Sequence, residues 1–74
     1  MTTQEIFRTE IKFDDVKVAA VVFKNYENYE NYVVIQEDDY LDGEGVGETP
    51  IGFYKSSEEA INFAKSFIDE IKAT

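Results

Sequence analysis

The stretch Val16–Lys24, Val-Lys-Val-Ala-Ala-Val-Val-Phe-Lys, constrains the fold more than any other part of the chain. It is rich in β-branched and apolar residues, which points to a strand. Side chains alternate across a strand. Val16, Val18, Ala20 and Val22 therefore share one face, and Ala19, Val21 and Phe23 share the other. A strand that is apolar on both faces belongs inside a sheet that is covered on both sides. The rest of the chain has to supply two covers.

One cover is easy to find. From Ser56 to Lys72, the residues Ala60, Ile61, Phe63, Ala64, Phe67, Ile68 and Ile71 recur at helical spacing and gather on one side. Asn62, Lys65, Ser66, Asp69 and Lys72 fall on the other side. Ser56 and Glu59 have the spacing of a capping box. Glu58 and Glu59 lie in the first turn and Lys72 in the last, as the helix dipole favours. One helix covers one face of a sheet. The second apolar row needs a curled sheet, a packed loop or a second copy of the chain. If a second copy covers it, Ala19, Val21 and Phe23 form the homodimer interface.

The remaining elements follow from alternation and turn chemistry. In Glu5–Phe13, Phe7, Thr9, Ile11 and Phe13 point one way and Arg8, Glu10 and Lys12 the other, as in a strand with one wet face. Asp14-Asp15 predicts a tight turn. Tyr32–Gln36 and Ile51–Tyr54 read as short strands, and residues 1–4 as a loose start. Residues 37–50, crowded with acids and glycines and closed by Thr49-Pro50, read as a flexible exposed loop. The expected fold is α+β: a three- or four-stranded antiparallel sheet with one C-terminal helix on one face, making a single domain over residues 1–74. At this length a single core gives modest stability.

Charge is distributed unevenly. The net charge is −9. Between Asn25 and Tyr54 there is no Lys or Arg, while Glu27, Glu30, Glu37, Asp38, Asp39, Asp42, Glu44 and Glu48 all fall there. The rest of the chain is close to neutral. This balance disfavours nucleic acid and anionic membranes as partners and favours a basic one, or else an acidic surface that serves only to keep a small protein soluble. There is no cysteine, no apolar run of signal-peptide length and no stretch long enough to span a bilayer, which predicts a cytoplasmic protein.

Catalysis has little to work with. Histidine and cysteine are absent, and Ser56, Ser57 and Ser66 are the only serines, so no nucleophile has a side-chain base of the usual kind. Asp38 and Asp42 lie in a glycine-rich stretch with no recognisable pocket. Aligning Gly43 with the invariant glycine of an EF-hand loop leaves Tyr40 and Thr49 at ligand places, with Glu48 one residue off. Gly43-Glu44-Gly45-Val46-Gly47 has no lysine and would repel phosphate. No catalytic site, metal or cofactor is expected.

What remains is an acidic surface with tyrosines in it. The repeat Asn25-Tyr26-Glu27-Asn28-Tyr29-Glu30-Asn31 reads first as a long polar turn between two strands, and it also pairs rigid rings with adaptable amides, as binding loops do. The candidate contact residues for a basic partner are Glu27, Tyr29, Glu30, Glu37, Asp38, Asp39, Tyr40, Asp42, Glu44 and Glu48. The expected function is a non-enzymatic protein-binding module. Its sharpest form is a small inhibitor that mimics nucleic acid and blocks a basic nucleic-acid-binding protein. In size, charge and lack of catalytic side chains the chain is analogous to phage anti-defence inhibitors such as anti-CRISPR proteins, although no motif carries the analogy. The alternative is a self-assembling structural unit whose acidity is incidental.

Overall fold

The computed structural model describes residues 2–40, 42–43 and 45–73. Four strands, β1 (Gln4–Phe13), β2 (Val16–Lys24), β3 (Tyr32–Tyr40) and β4 (Gly45–Tyr54), precede one helix, α1 (Ser57–Lys72). The strands form an antiparallel meander in the order β1-β2-β3-β4. The helix packs on one face of the sheet, so the fold is α+β.

The register aligns residues in rows across all four strands. On the helix face the rows are Phe7–Val22–Val34–Gly52, Thr9–Ala20–Gln36–Thr49, Ile11–Val18–Asp38–Gly47 and Phe13–Val16–Tyr40–Gly45. Each row is mostly apolar on β1 and β2, but from the second row onward it turns polar or glycine on β3 and β4. The helix explains the gradient. Ala60, Ala64 and Ile68 are buried against Val18, Ala20, Val22 and Val34, with Phe7, Ile11, Val16, Tyr54, Phe63 and Ile71 packed around them. Two small helix residues facing Ala20 let the helix sit close to β2. A helix of sixteen residues spans about 24 Å, whereas strands of nine or ten residues span about 30–34 Å. Lying across the sheet, the helix covers β1 and β2 along much of their length but only the proximal half of β3 and β4. The distal hairpin corner is left bare, and residues 45–50 are exposed throughout.

This overturns the reading of residues 37–50 as a loop. Glu37–Tyr40 and Gly45–Pro50 are paired strand, and of the described residues between them Asp42 and Gly43 form a turn. Gly43 there has φ of 95° and donates its N–H to the Tyr40 carbonyl at 3.1 Å. Residues 45–50 are polar because no layer covers either face of them, not because their backbone lacks partners. The start also differs from expectation: Gln4 already pairs with Lys24 in β1.

Ser56 caps the helix as its spacing predicts, its Oγ accepting the Glu59 N–H at 3.2 Å. Lys65 places its ammonium 5.6 Å from the centre of the Phe7 ring, tying mid-helix to β1. At the other side Gly52 lies beneath the helix. A Cβ there would meet Tyr54 Cε2 at 2.8 Å and Phe63 Cε2 at 3.3 Å. This glycine is required for space under the Phe63 ring. Gly52→Ala is expected to cost about 1–3 kcal/mol through overpacking, read as a lower urea midpoint with an unchanged slope.

Candidate docking face

On the face away from the helix the rows are Glu5–Phe23–Val33–Phe53, Arg8–Val21–Ile35–Pro50, Glu10–Ala19–Glu37–Glu48 and Lys12–Lys17–Asp39–Val46. Apolar residues fill the first two rows from β2 onward, and they need cover. The connection between β2 and β3 supplies it. Asn25 and Glu27 adopt left-handed backbone conformations, with φ of 59° and 50°. The Tyr29 N–H donates to the Tyr26 carbonyl at 3.0 Å, closing a turn, and the Thr3 hydroxyl donates to the Asn25 carbonyl at 2.9 Å. These features fold the loop back over the sheet. Tyr26 packs on Phe23 with ring centres 5.2 Å apart, Tyr29 lies 6.3 Å from Tyr26, and Tyr29 packs on Phe53 at 4.9 Å. Beneath this belt Val21, Val33 and Ile35 are 0% exposed.

Arg8 extends the cover. From β1 its guanidinium reaches across β2 to β3, donating to Glu37 Oε1 at 2.8 Å and to Glu5 Oε1 at 2.9 Å. Its stem lies in the row of Val21, and Glu37 lies in the row of Ala19. A small residue at Ala19 leaves room for that reach. The hydrogen bonds from Arg8 hold the Glu5 carboxyl below its ordinary range, and the two carboxylates raise the guanidinium further. Of the three covers open to the second apolar row, the chain thus uses a packed loop. Ala19 and Val21 are buried within one chain, and Phe23 is engaged by Tyr26.

The acids divide by strand parity. Glu37, Asp39 and Glu48 face the loop side, while Asp38 and Tyr40 lie on the helix side. Asp38 there accepts from Gln36 Nε2 at 3.0 Å, and Tyr40 is 44% exposed at the bare corner. Glu37 is half-buried and bound to Arg8. Asp42 sits in the hairpin turn, and Glu44 lies outside the described residues. Glu27, Tyr29 and Glu30 join Asn25 and Asn28 around an open depression of about 330 Å³. Tyr26 links the two groups. Its hydroxyl points to Glu48 Oε2 at 3.5 Å, and burial, followed by the charges of Glu48 and Glu27, raises its phenol above the ordinary tyrosine range.

The structure therefore brings Glu27, Tyr29, Glu30 and Glu48 into one neighbourhood, with Glu37 and Asp39 on the same face, and separates Asp38 and Tyr40 from them. Sequence reasoning passed over Tyr26 and Phe53 as members of this belt. The signal for Tyr26 was present in the period-three tyrosine repeat. For Phe53, 49% exposed, there was none without the register. Among the described residues no three acidic side chains come close enough together to hold a metal ion. No helix among them is long and apolar enough to cross a membrane. Protein-family models, curated proteins and solved structures contain no match to this chain.

Two outcomes follow from the loop. A non-glycine residue at φ 50° is strained by about 1–2 kcal/mol, so Glu27→Gly is expected to raise stability by about 1 kcal/mol, measured by urea unfolding. The second concerns alkaline pH. Because the folded chain holds the Tyr26 proton more tightly than the unfolded chain, it binds more protons above about pH 10. Stability is then fully present below pH 10 and falls as pH rises through the raised value. Tyr26→Phe should flatten that alkaline fall in a pH series of unfolding midpoints.

Proposed function

We propose that the chain is a non-enzymatic protein-binding module that docks its acidic, tyrosine-bearing face on a basic partner. The observation that carries this reading is the union of the β2–β3 loop with the distal β3–β4 hairpin. Glu27 and Glu30 line one depression with Tyr29, whose ring packs on the half-exposed Phe53, and the neighbouring Tyr26 points its hydroxyl to Glu48 from a distant part of the sequence. Charge alone gives fast but weak, salt-screened encounter. Desolvated aromatic anchors add the energy that makes such an encounter specific. The face is graded: Lys12 and Lys17 share a row with Asp39 at the β1–β2 side, and no base enters between Asn25 and Tyr54.

The sharpest form of the reading is an inhibitor that occupies the nucleic-acid groove of its partner. Carboxylates spread along strand edges stand in for phosphates, and the aromatic rings stand in for exposed bases. The self-assembly alternative was argued from an uncovered second apolar row; Val21, Val33 and Ile35 of that row are buried within one chain, which favours the docking reading.

The test compares the parent chain, the triple variant Glu27→Lys/Glu30→Lys/Glu48→Lys and a helix control, Glu58→Lys/Asp69→Lys, as baits in a host lysate. A basic protein captured by the parent and the control, released by salt, and bound by the triple variant about tenfold or more weakly is the expected outcome. For the mimic form, that protein must also lose bound nucleic acid when the parent chain is added. Equal capture by all three baits overturns the reading.

A further inference from the structure

The outer edge of β4 offers a second recognition element. β4 ends the sheet order, and among the described residues no element lies beyond it. Its distal half, Gly45–Pro50, is exposed on both faces. Pro50 pairs with Ile35 in the register but has no N–H to give. A proline in a strand turns its nitrogen to the open side. Backbone groups alternate along a strand, so Val46 and Glu48, four and two residues earlier, also turn their N–H and C=O groups outward. Gly47 lies between them, with open space where a Cβ would stand. Gly47 and Thr49 present little bulk on the helix side, while Val46, 59% exposed, and Glu48 project on the loop side.

Such an edge is a template for another strand. Charge decides which strand. A second copy aligned on β4 would bring Glu48 toward Glu48 within a chain of net charge −9, so self-pairing is opposed. An extended segment bearing lysine or arginine at alternate positions would instead set its bases against Glu48, with Asp39 in the next row. We propose that the Gly45–Pro50 edge takes up an extended basic segment of the partner as a fifth antiparallel or parallel strand, with its basic side chains on the loop side beside Glu48. This inference rests on the acidic-face reading and adds to it a backbone mode of recognition.

The experiment uses the full chain and two probes. One is a short end-blocked peptide of alternating lysine and valine. The other is the same peptide with alternate backbone nitrogens methylated, which keeps its charge and loses its strand-forming donors. Binding is followed by amide chemical shifts and hydrogen exchange at moderate salt. The expected result is slowed exchange at the Val46 and Glu48 amides with the first peptide, and binding at least about tenfold weaker for the methylated one. Val46→Pro, which removes one outward donor and leaves the β3 ladder intact, should weaken the first peptide similarly. If both peptides bind equally, the edge inference falls and the acidic-face reading stands. If neither binds even at low salt, both fall. If the Val46 and Glu48 amides are already protected in the free chain and it sediments as a dimer, a second copy holds the edge and the inference is overturned.

Discussion

The structure depends on burying β2 on both faces. Val18, Ala20 and Val22 turn to the helix, and Ala19, Val21 and Phe23 turn away from it, and the described residues form one helix. Two layers alone would leave Val21, Val33 and Ile35 in water, at a cost of roughly 1.5–3 kcal/mol for each large side chain. A chain of 74 residues has little stability to lose. The tyrosine loop resolves this by acting as a partial third layer, with two rings and an arginine stem in place of a second helix.

That solution ties stability to the surface proposed for docking. Tyr26 lies over the apolar face and also points to Glu48, so the ring that shields the second core sits beside the acids that would meet a partner. The left-handed backbone at Glu27 belongs to the same compromise. An asparagine or glycine tolerates that conformation readily, and a glutamate tolerates it poorly. Strain of this kind persists where surrounding packing over-determines the backbone. Here the Tyr26–Tyr29 turn and the Thr3 bond to Asn25 do so.

The mismatch between helix and strand lengths has its own consequence. Because the helix is shorter than the strands it crosses, one corner of the sheet extends past both covers. Apart from Tyr40 and Val46, that corner carries residues suited to water on all sides: acids, glycines, a threonine and a proline. Acids and Pro50 are also the means by which exposed edges avoid pairing with their own kind. On the proposed reading, the charges that would oppose a second copy there are the ones that would draw a basic strand.

By itself, the sequence determined the periodic elements. The apolar stripe of α1, its Ser56 cap, the alternation in β1 and the two-faced character of β2 follow from side-chain spacing, which backbone geometry ties directly to secondary structure. The need for a second cover was equally legible, as was the acidic middle of the chain. Only the tertiary structure decided what the cover is, because a turn and a flap share the same composition and differ in where φ at Asn25 and Glu27 sends the chain. It also decided that residues 37–40 and 45–50 are strands. Composition registers the absence of a covering layer, whereas a ladder needs only backbone partners, which every residue but proline can provide in full. Register then sorted the acids, sending Asp38 to one face and Glu37, Asp39 and Glu48 to the other, a division set by pairing with strands distant in sequence.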